Sequence, residues 1–276
     1  MQEMWGSCAN EISDCIEGKV SISKEEGKTK FFEPKHKVVS IIFDPKSKWF
    51  GDFGSILKVF AFRSGGLFTS YNAQFECLNE KRHKFVKVLD SFTEKVLGKG
   101  CQISLFDVSS KWGEGKKLAL INTHLAYALR EVQTTQCAEI RETFSQFLEE
   151  NKKVDWSNCG VIWCGDLNIP SEDEESLFDI FQLFGGNVRD LYKEMNKEDI
   201  ASLDESNHYA YISGKARIDY ILAIDSLKND GKEVSFMKLK PLSCKVVRQQ
   251  YKSEFSDHYP VTATIVPSDS FEVVEN

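Results

Sequence analysis

The sequence predicts an α/β fold, and three observations support this prediction. Short runs of β-branched and aromatic residues, which favour strands, recur along the chain. Between them lie segments whose apolar residues have helical spacing. Polar residues of a few types follow one strand after another, and layered α/β folds assemble functional sites at such strand ends. Strands mixed with helices pack as layers around a common core.

Six apolar runs have the length and composition of strands. In chain order they cover residues 38–43, 56–62, 118–123, 161–164, 218–224 and 261–266. A helix is predicted between the third and fourth runs and should pack on a sheet, because one helical face carries Cys137, Ile140, Phe144, Phe147 and Leu148. A second helix is predicted to begin with the capping-box pattern of Ser171 and Glu174 and to end at Gly185-Gly186.

Length and composition favour one domain. The chain has 276 residues, of which 41% are apolar, and no linker or repeat divides it. We expect the domain to cover residues 1–266 and an acidic tail to follow at 267–276. The net charge of −7 argues against affinity from a broad basic face, which nucleic-acid-binding proteins usually have. A nuclease stays possible, because a metal ion can neutralise the phosphate being cleaved.

The cysteine pattern and the hydropathy favour a cytoplasmic protein. The eight cysteines form no C-x-x-C pair, and we interpret them as mostly reduced, structural residues. No apolar run reaches the roughly 18 residues of a membrane-spanning helix. Polar and charged residues follow Met1 where a signal peptide would have an apolar core.

The segment Gly165-Asp166-Leu167-Asn168 follows the fourth run and is the first candidate site. Residues two apart in an extended segment face the same side, so the Asp166 carboxylate and the Asn168 amide should converge while Leu167 points into the core. A carboxylate beside an amide suits a site that orients water and grips a phosphate oxygen. A simple turn is an equally good interpretation, because Asp and Asn both favour turns.

Two histidines are candidates for proton transfer or charge stabilisation. His258 follows Asp257 just before the last strand, and histidine can accept a proton near neutral pH. His124 ends the third run, where a cationic imidazole could hold a phosphate oxygen. For each histidine alone, a surface residue at the end of a strand is the more frequent explanation.

An acidic residue, Asp219, lies inside the otherwise apolar fifth run. An isolated carboxylate is costly to bury, so Asp219 should have a partner, and a histidine from a neighbouring strand end is a natural one. The alternative is a structural ion pair with Arg217 on the same face.

Seven short segments, taken together and in order, resemble the motif series of the endonuclease/exonuclease/phosphatase superfamily. They are Gln2-Glu3, Ser64-Gly65-Gly66-Leu67, Lys99-Gly100, Asn122-Thr123-His124-Leu125, Gly165-Asp166-Leu167-Asn168, Arg217-Ile218-Asp219-Tyr220-Ile221-Leu222 and Ser256-Asp257-His258-Tyr259-Pro260-Val261. Each motif alone is weak, but the ordered set spans nearly the whole chain. The second, third and last segments, with Gln136 and Glu139, are most similar to neutral sphingomyelinases.

The resemblance implies a four-layer sandwich of two packed mixed β-sheets flanked by helices. It also implies a metal-dependent enzyme that hydrolyses a phosphodiester by activated water. The implied cofactor is Mg²⁺, or Mn²⁺ in its place, and a hard ion of this kind takes oxygen ligands and keeps several waters. Glu3 would be a metal ligand, and Asp257 would support the metal or its waters.

The resemblance also implies roles for five residues around the phosphate. Asp166 would orient the attacking water, and Asn168 would hold a non-bridging phosphate oxygen. His124 would stabilise charge in the transition state. His258 would be the general base, with Asp219 orienting its imidazole.

The chain departs from the family pattern at its start. Family members have a first strand with a metal-binding asparagine, a helix and a second strand before the Gln-Glu segment, whereas this chain starts at Met1-Gln2-Glu3. We therefore expect an incomplete sequence or a fragment, which leaves secretion of the complete protein open. If Met1 is the true start, Glu3 lies on a frayed terminus, and a non-catalytic interaction protein is the alternative.

The motifs favour a sphingomyelin phosphodiesterase that acts on a lipid headgroup at a membrane surface. The acidic charge and the lack of a basic, aromatic-interleaved stretch weigh against an endonuclease of the same fold. The lack of a Lys and Arg cluster near the motifs weighs against a phosphoinositide phosphatase. Trp49, Phe50 and Phe53 could touch lipid, although such aromatic residues more often pack on the protein's own surface.

Overall fold

The computed structural model describes residues 24–25, 28–29, 36–41, 67–72, 75–89, 99–127, 129–207, 214–229, 231–248 and 258–271. The run predicted at 56–62, the aromatic residues from Trp49 to Phe53, Glu3 and Asp257 lie outside these residues. The runs predicted at 38–43, 118–123, 161–164, 218–224 and 261–266 correspond to strands of the structure.

The described chain alternates between strands and a few helices. In chain order the strands are β1 Lys24–Glu25, β2 Lys28–Thr29, β3 His36–Ile41, β4 Phe68–Asn72, β5 Glu76–Lys84, β6 Gly100–Asp107, β7 Lys117–His124, β8 Cys159–Asp166, β9 Val188–Asp190, β10 Leu203–Asp204, β11 Lys215–Ala216, β12 Asp219–Ile224, β13 Ser226–Asn229, β14 Lys232–Ser235, β15 Leu239–Val246 and β16 Val261–Pro267. The α-helices are α1 Ser109–Trp112, α2 Arg130–Glu150, α3 Glu174–Leu183 and α4 Leu191–Met195.

A mixed sheet of six strands forms the centre, in the order β5-β6-β7-β8-β12-β9. The neighbours β7 and β8 are parallel, and the other pairs in this sheet are antiparallel. Parallel neighbours need a crossover connection, and α2 supplies it between β7 and β8. The carboxyl ends of β7 and β8 therefore lie at the same edge of the sheet.

One face of the central sheet packs against α2 and α3 through the larger hydrophobic core. Side chains alternate along a strand, so Cys101, Ile103 and Leu105 of β6 all point to this face. The helix predicted between the third and fourth apolar runs is confirmed as α2, and its Phe144 is fully buried in the same core. Burial of one large apolar side chain stabilises the fold by about 1.5–3 kcal/mol.

The opposite face of the central sheet packs against a second β layer. Ile162 and Ala223 of the central sheet form a second core cluster with Leu239 of β15, which pairs with β16. On the same face β4 is joined to the sheet, because Thr69 Oγ1 donates to Gln102 Oε1 at 3.1 Å. Helices, a mixed sheet and a second β layer confirm the predicted α/β sandwich.

The helix predicted to begin at Ser171 begins three residues later. Asp173 is the N-cap of α3, where its carboxylate accepts from Ser176 N at 3.1 Å and from Ser176 Oγ at 2.7 Å. Ser171 belongs to the preceding turn, because its backbone N–H donates to Arg217 O at 3.0 Å. The predicted end is confirmed, since Gly185 and Gly186 follow with φ angles of 93° and 78°.

The C-terminal segment is joined to the rest of the chain by an ion pair. The segment predicted as an acidic tail begins with the 3-10 helix Ser268–Phe271, and Asp269 is paired with Lys116 at 2.7 Å.

Among the helices of the described chain, none combines the length and the apolar character needed to cross a bilayer.

Candidate active site

Three of the predicted site residues lie side by side across three neighbouring strands. His124 ends β7 and stands opposite Asp166, which ends β8. Asp219 begins β12, which runs antiparallel to β8, and its register partner is again Asp166. Segments that are far apart in sequence therefore meet at one edge of the central sheet. Asp166 shares its face with Ile162, so the group faces the second β layer.

His258 approaches this edge from the last part of the chain. Its Nδ1 lies 2.8 Å from Asp219 Oδ2. A single serine positions both partners, because Ser202 Oγ accepts from Asp219 N at 3.2 Å while Ser202 O accepts from Tyr259 N at 2.7 Å. Ser202 is fully buried.

The structure pairs Asp219 with His258, whereas the alternative interpretation was a structural ion pair between Asp219 and Arg217. The Arg217 guanidinium instead pairs with Asp190, at 2.8 Å, and with Asp199. Its guanidinium carbon also lies 4.8 Å from the centre of the Tyr192 ring. Asp219, the acid inside the apolar run, is therefore the hydrogen-bond partner of a histidine from a distant segment.

The Asp166 carboxylate and the Asn168 amide converge as the two-residue spacing predicted. Asn168 donates to Asp166 through its backbone N–H, at 2.7 Å to Oδ1, and through Nδ2, at 3.1 Å to Oδ2. Nδ2 also donates to Leu125 O at 3.0 Å. Leu167 between them is fully buried in the larger core. The backbone is not extended at Asn168, whose φ angle is 52°.

His124 is almost completely buried, and its Nε2 lies 3.4 Å from Asp166 Oδ2. Burial lowers the pKa of His124 well below its usual value, and the nearby Lys99 and His258 lower this pKa further. This shift favours the neutral imidazole, whereas a cationic one was expected from the sequence. A neutral imidazole can still donate one N–H to a phosphate oxygen.

Comparison with known proteins identifies the fold. No family model and no curated protein sequence matches the chain. Among solved structures, the mannosyl-6-phosphatase of Bacteroides thetaiotaomicron superposes with a TM-score of 0.51 at 16% identity, covering 73% of this chain and 70% of that chain. The chain has the endonuclease/exonuclease/phosphatase fold.

Two other structures match with lower scores. A Bacteroides vulgatus protein described as an endonuclease/exonuclease/phosphatase has a TM-score of 0.48 at 17% identity, covering 74% of this chain and 70% of that chain. The TDP2 of D. rerio complexed with a single-strand DNA product has a TM-score of 0.47 at 16% identity, covering 72% of this chain and 73% of that chain.

A group in this endonuclease/exonuclease/phosphatase fold could hold a divalent metal ion. Asp166, Asp219 and His258 each offer one ligand atom, and these atoms lie within 4.8 Å of one another. Two carboxylates and one imidazole fit the oxygen and nitrogen ligands that divalent cations take. Glu3 and Asp257, the ligands implied by the motif resemblance, lie outside the described residues.

Sequence reasoning assigned no role to three residues that support the site. Lys99 is buried and donates to Leu125 O at 2.9 Å, directly beside the Asn168 amide on the same carbonyl. Ser202 and Gln133 make the other supporting bonds. The Lys99-Gly100 motif did mark this part of the chain. Glycine is required at position 100, because a Cβ atom there would lie 2.1 Å from His83 O. Nothing in the sequence around Ser202 indicates its role.

Proposed function

We propose that the protein is a phosphodiesterase that hydrolyses its substrate by activated water. The observation that supports this most is the Asp219–His258 pair, 2.8 Å apart, beside the Asp166 carboxylate at one strand edge. A histidine oriented by a carboxylate is the arrangement a general base needs. The endonuclease/exonuclease/phosphatase fold and the ordered motif series agree with this chemistry.

The proposed reaction assigns one task to each residue. With its proton on Nδ1 facing Asp219, His258 takes a proton from water through Nε2. The water oxygen then forms a bond to phosphorus, and the bond from phosphorus to the leaving alcohol breaks. Asp166 orients this water, and Asp219 stabilises the imidazolium that results. The leaving oxygen lies on the opposite side of phosphorus and takes its proton from solvent, and His258 gives its own proton up to solvent.

Two residues would bind the phosphate itself. Asn168 would hold a non-bridging oxygen, for which its Nδ2 must exchange one of its two protein acceptors, Leu125 O or Asp166 Oδ2. His124 would donate an N–H to the charge that develops in the transition state. Because His124 is buried, this hydrogen bond would form in a medium of low dielectric constant, where it is stronger than in water.

The proposed cofactor is Mg²⁺, with Mn²⁺ as the alternative. When bound, such an ion polarises a phosphoryl oxygen and lowers the pKa of a bound water. Asp166 is the described carboxylate that we assign to the ion or its waters, because Asp219 is engaged with His258. Glu3 and Asp257 stay proposed ligands.

For the substrate we propose sphingomyelin, which would be cleaved to ceramide and phosphocholine. The segments that resemble neutral sphingomyelinases support this choice, and so do exposed apolar side chains on the loop after His124, namely Tyr127 and Leu129. An endonuclease would need basic side chains along the bound DNA strand, and the net charge of −7 does not favour such a surface.

The experiment that tests this function measures hydrolysis by the complete protein with Mg²⁺, with Mn²⁺ and with EDTA. The substrates are sphingomyelin vesicles, duplex DNA, a phosphoinositide and mannose 6-phosphate. We expect hydrolysis of sphingomyelin that EDTA abolishes and that added Mg²⁺ restores. Cleavage of DNA, phosphoinositide or mannose 6-phosphate instead would replace the substrate, and no cleavage of any of them would favour the non-catalytic alternative.

The residue assignment is tested with His258→Ala and Asp166→Asn. Each variant should lower turnover by at least ~10²-fold, which is what loss of a positioned acid or base costs. Circular dichroism and thermal unfolding should show that each variant keeps the fold. Unchanged turnover in both variants would remove the site assignment.

A further inference from the structure

The backbone of Asn168 adopts an unusual conformation. Its φ angle of 52° lies in the left-handed region, and it is the only residue other than glycine with a positive φ in the described parts of the chain. Residues with a Cβ atom avoid this region for steric reasons, although asparagine tolerates it better than most. Such a conformation persists only where surrounding contacts hold it.

The left-handed turn is what brings Asn168 back onto Asp166. The left-handed φ angle sets the direction of the side chain, whose Nδ2 reaches Asp166 Oδ2 at 3.1 Å, while the backbone N–H of Asn168 reaches Oδ1 at 2.7 Å. Each donor binds a different oxygen of that carboxylate. The orientation of the Asp166 carboxylate therefore depends on the conformation of Asn168.

A buried glutamine on α2 contacts the backbone of Asn168 from outside the site. Gln133 Nε2 donates to Asn168 O at 2.9 Å and to Ala126 O at 3.0 Å. Both N–H bonds of this amide are thereby used, one on the loop after β8 and one on the loop after β7. Gln133 is only 5% exposed, so water cannot readily replace it.

A second buried glutamine, one helical turn further along α2, serves as an internal comparison. Gln136 Oε1 accepts from Ala126 N at 2.7 Å, and its Nε2 donates to Lys87 O at 2.8 Å. Gln136 therefore holds the same residue, Ala126, but these two hydrogen bonds do not involve Asn168. The two glutamines are alike in burial and in the number of these backbone bonds, and they differ in which loops they join.

We propose that Gln133 is a positioning residue for the hydrolytic reaction, which acts by holding Asn168 in the left-handed conformation. The inference rests on the proposed function, because it assumes that Asp166 and Asn168 act on the phosphate. Without the Gln133 donor, Asn168 O loses its partner and the turn relaxes toward a less strained conformation. The Asp166 carboxylate then loses the bond from Asn168 Nδ2 that helps to orient it.

The test compares Gln133→Met with Gln136→Met, since methionine keeps the length of glutamine and removes its hydrogen bonds. Turnover on the substrate that the wild type hydrolyses should fall roughly 10- to 100-fold in Gln133→Met, because displacement of a reacting group by about 1 Å costs that much. KM should change much less. Gln136→Met should lose similar thermal stability but retain most of the turnover.

A double variant separates positioning from general damage. In an Asn168→Ala background, Gln133→Met should have little further effect on turnover, because the Asn168 side chain that it positions is already gone. Equal losses of turnover in Gln133→Met and Gln136→Met would overturn the proposal. A full additional loss in the Asn168→Ala background would overturn it as well.

A readout without substrate keeps the inference separate from the proposed function. The Cα and Cβ chemical shifts of Asn168 report its backbone conformation and should move away from left-handed values in Gln133→Met but not in Gln136→Met. If the wild type hydrolysed no phosphate ester, the proposed function would fail while these shifts still decided whether Gln133 holds Asn168. Unchanged Asn168 shifts in Gln133→Met would refute the inference whatever the activity.

Discussion

The hydrogen bond between His258 and Asp219 underlies the role proposed for each of these residues. A neutral imidazole carries its proton on one nitrogen, and the partner of that nitrogen decides which one. The Asp219 carboxylate, 2.8 Å from Nδ1, favours the proton there and leaves the lone pair on Nε2. In the proposed mechanism, the same carboxylate stabilises the imidazolium once a proton has been taken up. Both effects require a negative charge on Asp219.

At this scale, replacing Asp219 by Asn should lower turnover by roughly 10²-fold or more while the fold stays intact. An amide of the same shape has no charge to stabilise the imidazolium, and it can present N–H₂ to Nδ1 and reverse the tautomer. Turnover and thermal unfolding are measured together. Asp225→Asn is a matched control, because Asp225 follows the other end of β12 and pairs with Arg189 at 2.7 Å. That control should lose stability and keep turnover; equal turnover losses in both variants would contradict the assigned role.

The sequence could identify most of these residues but not all of their partners. His124, Asp166 and Asp219 were found because each stands at the end or the start of an apolar run. Local sequence did not reveal that Arg217 turns to Asp190 and Asp199, because those carboxylates come from other elements. The burial of His124 beside Lys99, which lowers the pKa of its imidazole, was not visible in the sequence either.

At the scale of single elements, helix α3 shows how a start signal can be misread. The Ser171 and Glu174 pair has capping-box spacing, but Ser171 is committed to a backbone bond with Arg217 O. The backbone N–H of Asp173 donates to the nearby Pro170 O, and its carboxylate accepts both the backbone N–H and the hydroxyl of Ser176. Tertiary contacts therefore decided between two candidate caps two residues apart, while the apolar runs of β7 and β8 were sufficient to predict those strands.

Asp173→Ala should lower the free energy of unfolding by about 1 kcal/mol, as measured by urea denaturation at neutral pH. Asp173→Asn keeps an acceptor at the N-cap and should cost much less. The hydrogen bonds from Ser176 lower the pKa of Asp173, so the ionised form is the one stabilised in the folded state. This contribution is present above the carboxyl pKa of the unfolded chain and is lost as pH falls through the lower folded pKa.

The difference between wild type and Asp173→Ala should therefore shrink at acid pH. A larger destabilisation from Ser171→Ala than from Asp173→Ala, with the difference insensitive to pH, would show that the helix is capped at Ser171.

At the scale of the whole molecule, the site lies where the central sheet meets the second β layer. The pattern of strands and helices predicted α/β layers, and the motif order predicted which strand ends carry the chemistry. Apolar periodicity could not predict that β3–β4 and β15–β16 cover one face, because both faces of the central sheet are apolar. The pairing of Thr69 with Gln102 depends on side chains from segments 33 residues apart.

Apolar side chains are exposed beside the site, where the proposed lipid substrate would bind. Tyr127 and Leu129, on the loop after His124, are 62% and 54% exposed, and Val86 on the adjacent loop is 84% exposed. The two loops are neighbours because Gln136 bonds to both Ala126 N and Lys87 O. Apolar side chains exposed beside a site mark a surface suited to lipid or another apolar partner.

A Tyr127→Ala, Leu129→Ala double variant should therefore lower the rate on sphingomyelin vesicles by about tenfold or more, since two apolar side chains would no longer be buried in the lipid surface. Its rate on a water-soluble phosphocholine ester should change little, because neither side chain is assigned to the phosphate. Leu78→Ala is the control, as Leu78 is 41% exposed near the other end of β5. Equal losses on both substrates would mean that the loop distorts His124, and an unchanged vesicle rate would mean that this edge does not meet the membrane.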